Sequence, residues 1–170
     1  MKTHVLASLS MTDSSFEQLL PEPLAVRAVH AHNGQGRNMP TPWHVYPEQA
    51  AAGLWTTPRD LARFLIEVQR AIRGPAGSVL KQAAAVEMVS PMGVGPFAVG
   101  VMVEKRGEGW YFRHDRSNFG FAADALAHVR KGYGVVVMAN GGSMGAVISE
   151  VEARVASAYN WDSLDKPLVR

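Results

Sequence analysis

Cysteine is absent from the 170 residues, which excludes disulfides, thiolate nucleophiles, iron–sulfur clusters and cysteine-based zinc sites together. Charge of one sign is also lacking. Seventeen Lys and Arg against fifteen Asp and Glu leave a formal net charge of +2, too small and too evenly spread for a nucleic-acid partner. Long apolar runs are missing as well: the longest, such as Val135 to Ala139, are strand-sized, so no membrane span is expected. The start, Met1 to Ala7, holds one lysine and no sustained apolar core, which argues against a secretory signal. A cytoplasmic protein is the expectation, and a periplasmic one would follow only if sequence precedes Met1. What is present is ordinary globular composition, 47% hydrophobic and 19% charged, which argues against disorder. The length suits one domain, so residues 1–170 are read as a single unit.

Proline and glycine divide the chain. Pro21-Glu22-Pro23 reads as a stop for whatever precedes it, Leu24 to His32 as a strand, and Asn33 to Pro42 as a loop. Thr57 can cap a helix whose first position suits Pro58 and whose third holds Asp60. Leu61, Phe64, Leu65, Val68 and Ile72 then recur at helical spacing until Gly74, and a second helix is expected from Lys81 to Val89. From Pro96 the period becomes two. Phe97, Val99, Val101 and Val103 alternate as a first strand, followed by Trp110 to Asp115, Phe119 to Val129 and Tyr133 to Ala139, joined by short glycine turns. Four such strands predict an antiparallel meander. Val147, Val151, Val155 and Ala158 mark the apolar stripe of a closing helix. The fold class is therefore α+β, helices flanking an antiparallel sheet.

Three groupings could carry chemistry. Gly141-Gly142-Ser143-Met144-Gly145 fits G-x-S-x-G between a strand and a helix. In that arrangement the acid and histidine follow the serine, on a mostly parallel sheet. Here all six histidines (His4, His30, His32, His44, His114, His128) precede Ser143, so a glycine-rich turn is expected and Ser143 stays only a candidate nucleophile. Ser78-Val79-Leu80-Lys81 fits S-x-x-K, in which a lysine amine takes the proton of a serine one helical turn away. The preceding Gly74-Pro75-Ala76-Gly77 reads as a surface loop, so Ser78 is expected to cap the second helix, with Ser78 and Lys81 kept as candidates. His30-Ala31-His32 would put two rings on one face of a strand, yet no carboxylate follows at ligand spacing. No metal and no cofactor is expected.

Three longer segments carry a resemblance. They are Leu9 to Phe16 (LSMTDSSF), Tyr46 to Phe64 with its AAGLWTTPRDLARF core, and Phe112 to Phe121 (FRHDRSNFGF) leading into the Gly132 to Asn140 strand. In this order and spacing they resemble the C-terminal part of the serine β-lactamase-like family: class C β-lactamases, DD-peptidases and esterases of the same fold. The resemblance covers Leu9 to Trp161 and implies a partial β-lactamase/DD-peptidase fold, with acyl transfer to water through a serine ester as the family reaction. It implies His114 as a substrate-orienting group and the backbone around Ser117 as an oxyanion donor, within a binding stretch of His114, Asp115, Arg116, Ser117 and Asn118. Arg116 stands where the family has glycine. The family's serine–lysine pair and its tyrosine motif lie upstream of the first segment, and no Tyr-x-Asn or Tyr-x-Ser triplet occurs here. Because residues that act as a unit cannot be partly retained with proportionate activity, the resemblance implies a truncated hydrolase, inactive alone, whose partner would be a small acyl substrate. Two other readings stand beside it. One is a non-catalytic module that forms homo-oligomers or meets a partner chain supplying the missing half. The other is a small esterase using Ser143 or Ser78.

Overall fold

A computed structural model describes residues 1–74, 79–107 and 109–161. Two short helices, α1 (Glu22–Ala25) and α2 (Gln49–Ala52), precede helix α3 (Pro58–Arg73), which organises the rest. Its start follows the local chemistry: Thr57 Oγ1 accepts from the Asp60 N–H at 3.2 Å, and proline fills the first turn, where no intrahelical donor is needed. Leu65, Val68 and Ala71 are buried along one face. Three polar side chains of the same helix are also buried, and each holds a different segment. Asp60 accepts from Asp13 N at 2.8 Å and Ser14 Oγ at 2.9 Å; Glu67 accepts from Val79 N at 2.6 Å and Leu80 N at 3.0 Å. Gln69 donates to the carbonyls of His128 and Tyr133 at 2.8 and 3.0 Å.

The sheet is an antiparallel meander in the order β1-β2-β3-β4, as the alternation predicts: β1 Met102–Arg106, β2 Gly109–Asn118, β3 Phe121–His128 and β4 Gly134–Ala139. One face packs Val103, Phe112, Ala125 and Ala127 against Leu65 and Val68 of α3 and Val89 at the end of α4 (Gln82–Met88). The opposite face lies under α5 (Gly145–Ala158), where Tyr111, Leu126 and Ala156 form a second core. Among the described residues no helix is long and apolar enough to cross a membrane.

Four expectations are corrected. Leu24 to His32 is not a strand, because Pro21 and Pro23 open a short helix, α1 (Glu22–Ala25); Leu24 N and Ala25 N both donate to the Pro21 carbonyl at 2.9 Å. Proline stops a helix from within but suits its first turn. His30 and His32 accordingly do not share a strand face. The Phe97 to Val103 alternation is a tight reversal: Gly100 sits at φ +78°, Ala98 N donates to Val101 O, and only from Met102 does the chain run as strand. The third strand begins at Phe121, since Phe119 and Gly120 make a two-residue turn and β2 runs on to Asn118. On α5 the inward residues are Ile148, Glu152 and Ala156, whereas Val147 and Val151 are exposed. The valines lie one residue, about 100° of helix rotation, away from the buried face.

Candidate functional site

The register of the sheet decides what the stretch His114 to Asn118 can do. β1 pairs with β2 only from Gly109 to Arg113, while β3 pairs with it all the way to Asn118. From His114 onward β2 therefore has no described partner on its β1 side, and its backbone N–H and C=O groups on that side lie open. The strand also alternates. His114, Arg116 and Asn118 share the face of Phe112, packed toward α3, while Asp115 and Ser117 share the face of Tyr111 and Arg113, beneath α5. The five residues expected to bind substrate are all exposed, but they form two surfaces. Only His114, Arg116 and Asn118 converge, presenting imidazole, guanidinium and carboxamide donors to one side. Arg116 stands beside His114 there and adds a fixed positive charge where the resemblance expected glycine.

The hairpin that ends this strand is held from outside. Phe119 N donates to Tyr46 Oη at 3.1 Å, and the His44 ring stacks on Phe119 with centroids 3.6 Å apart. Gly120, at φ +66°, lies so close to the preceding loop that a Cβ there would sit 2.5 Å from that of Ala31. Only glycine fits both the turn and the approach. Trp43 and Trp55 meet edge to face at 5.2 Å, bracing the same loop region.

Under α5 lies a cluster of charge that sequence reasoning missed. Arg113 pairs with buried Asp124 and approaches Asp115 at 3.7 Å; Arg106 pairs with Glu104 at 2.5 Å. Glu152 is buried above them, and its Oε1 has no hydrogen-bond partner among the described residues. Burial pushes its carboxyl above the usual carboxylate range against the pull of Arg113 and Arg106, and Glu104 and Asp115 add to the rise. The signal was present: Glu152 sits at four-residue spacing between Ile148 and Ala156.

The candidate nucleophiles lie elsewhere. Ser143 lines a cavity of about 270 Å³ with His32, Asn33, Gly34, Asn140 and Met144. His32 Nδ1 lies 2.9 Å from the Asn140 backbone oxygen and 3.1 Å from its side-chain amide nitrogen, donating to the first when protonated or accepting from the second when not. His32, although it precedes Ser143 by more than a hundred residues, lines the same cavity, but no hydrogen bond joins the two side chains among the described residues. Lys81 is exposed at the start of α4, and Ser78 lies outside the described residues. Among those residues no three His, Asp or Glu side chains gather as metal ligands.

The profile of the family described as Beta-lactamase matches residues 1–159. The chain belongs to the beta-lactamase family. No curated protein matches it in sequence. Solved structures share its fold. The octameric penicillin-binding protein homologue from Pyrococcus abyssi superimposes at TM-score 0.70 with 17% identity, over 98% of this chain and 38% of its own. D-amino acid amidase from Ochrobactrum anthropi SV3, complexed with D-phenylalanine, gives 0.68 with 19% identity, over 92% and 52%. Beta-lactamase/D-alanine carboxypeptidase from Pseudomonas syringae gives 0.71 with 14% identity, over 92% and 52%. This beta-lactamase-family chain thus spans roughly two-fifths to half the length of these structures, and the family fold is α+β, as the sheet and its helices show.

Proposed function

We propose that this chain supplies the substrate-facing strand of an acyl-serine hydrolase and does not itself form the acyl-enzyme. The observation that carries the reading is the open edge of β2 from His114 to Asn118, flanked on one face by His114, Arg116 and Asn118. Unpaired strand N–H groups can hydrogen-bond an acyl carbonyl and stabilise negative charge as it develops on the oxygen. The three side chains are suited to the carbonyl or carboxylate oxygens of a small amide or ester, with Arg116 adding a charge-assisted bond to an anionic substrate. Acyl transfer also needs a hydroxyl nucleophile within hydrogen-bond reach of a base, and neither Ser143 nor Lys81 has such a partner among the described residues. On this reading the isolated chain turns over no acyl substrate.

The test is to offer the purified chain a chromogenic β-lactam and a short p-nitrophenyl ester, and to titrate it with an N-acyl-D-amino acid while following backbone amide shifts. Turnover at the buffer rate, with shifts at residues 114–118 that weaken in Arg116→Ala, is the expected result. The cavity shared by Ser143, His32 and Asn140 favours one other reading, an esterase using Ser143. Turnover abolished by Ser143→Ala, with shifts confined to that cavity, would replace the first reading with the second.

A further inference from the structure

Backbone groups of successive strand residues point to opposite edges. Trp110 O accepts from Val129 N at 2.9 Å, so the even-numbered residues of β2 turn their N–H and C=O toward β3, and the odd-numbered ones turn theirs to the β1 side. Past Arg113 the amides on that side are therefore those of Asp115, Ser117 and Phe119, spaced about 7 Å apart along the strand. The last of these is already taken: Phe119 N donates to Tyr46 Oη at 3.1 Å. The phenol oxygen thus stands where the carbonyl of a paired strand would stand. Its segment fixes it there. The His44 ring stacks on Phe119, and Ala31, whose N–H donates to Pro42 O at 2.8 Å, lies against Gly120 on the other side of the turn.

We propose that Tyr46 is a specificity-determining residue of the acyl-binding strand, its hydroxyl donating to a second oxygen of the ligand, so that an N-acyl amino acid with a free carboxylate is preferred over a plain amide. The inference rests on the reading of β2 given under Proposed function. A phenol that has accepted one hydrogen bond still has its own proton to donate, and among the described residues no acceptor takes that of Tyr46. The spacing sets what the proton can reach. A ligand whose acyl oxygen accepts from Ser117 N lies one step of about 7 Å before the place that Tyr46 Oη fills. An O–H···O bond spans about 2.7 Å of that step. What remains is about 4 Å, the length of one amino-acid unit. The acyl oxygen and the carboxylate of an N-acyl amino acid are separated by one such unit. A carboxylate also gains more than a neutral oxygen from the donor, because bonds to charged acceptors are the stronger ones.

Two probes separate the hydroxyl's part from that of the strand: N-acetyl-D-alanine, and N-ethylacetamide, which keeps the amide and lacks the carboxylate. Titrated into the 170-residue chain, both should shift the backbone amides of residues 114–118, and only the acid should shift the Tyr46 ring protons. Tyr46→Phe keeps the ring and removes the hydroxyl. It should weaken binding of the acid about five- to tenfold and that of the amide by less than about twofold, with a melting temperature close to the parent's. A variant that weakens both probes alike shows a purely structural role and overturns the inference, as does one that weakens neither. If the acid shifts none of residues 114–118, the reading of β2 falls and this inference falls with it. If the acid shifts them and Tyr46 does not respond, this inference falls alone. Should Tyr46→Phe misfold, the ring shifts of the parent chain decide.

Discussion

Glu152 offers the sharpest test of the energetics. Its carboxyl is buried under α5, with Oε1 unpaired and Arg113, Arg106, Glu104 and Asp115 as its charged surroundings. Burial raises its affinity for a proton in the folded state more than the two arginines lower it. The folded chain thus binds this proton more tightly than the unfolded chain. The stabilisation is complete below the unfolded carboxylate pKa and is lost as pH climbs through the raised folded one. Glu152→Gln keeps the shape and removes the ionisation. A buried polar atom without a partner costs about 1–3 kcal/mol, and more when charged. The substitution should therefore stabilise the chain by about 1 kcal/mol near pH 8 and by close to nothing near pH 4, below the unfolded carboxylate pKa. For a chain of this size that is about 2–4 °C in melting temperature at the higher pH. Urea unfolding followed by circular dichroism at both pH values measures it. Loss of more than about 1 kcal/mol near pH 8 would refute the reasoning. It would show that Glu152 is held as an ion by Arg113 and Arg106, and that pairing outweighs burial.

Two further outcomes follow from the backbone. Thr57→Ala removes the side-chain cap of α3 and should cost about 1 kcal/mol, read as a lower urea midpoint with an unchanged slope. Gly120→Ala meets both a left-handed backbone and the Ala31 Cβ, so a loss of about 2 kcal/mol or more is expected. Exchange of the Phe119 amide should also speed up, because the hairpin can no longer close against the Tyr46 hydroxyl.

What was legible in the sequence was whatever depended on neighbours in the chain. The capping residues and apolar spacing of α3 lie within a few positions of one another, and the meander was marked by its glycine turns; the helix was read to its ends, and the meander in its strand order but with its first strand displaced toward Phe97. The errors share a cause. Leu24 to His32 and Phe97 to Val103 alternate in hydrophobicity, but a proline pair able to start a helix and a glycine at positive φ override a two-residue period. The site was only half legible. The stretch His114 to Asn118 was put forward by resemblance alone; its division between two faces needed the register, and its open edge needed the fact that β1 stops opposite Arg113. The meeting of His32, Asn140 and Ser143 is a contact between residues about a hundred positions apart, which no local pattern encodes.

Helix α3 has a consequence for how the molecule comes apart. Asp60, Glu67 and Gln69 moor three segments remote from one another in the chain, at residues 13–14, at 79–80, and at the His128–Tyr133 bend. The helix is the keel to which separate planks are pegged. A loop that lets go strands a polar group in the interior, so each release makes the next easier. Melting should then arrive as one event instead of a succession of loosenings.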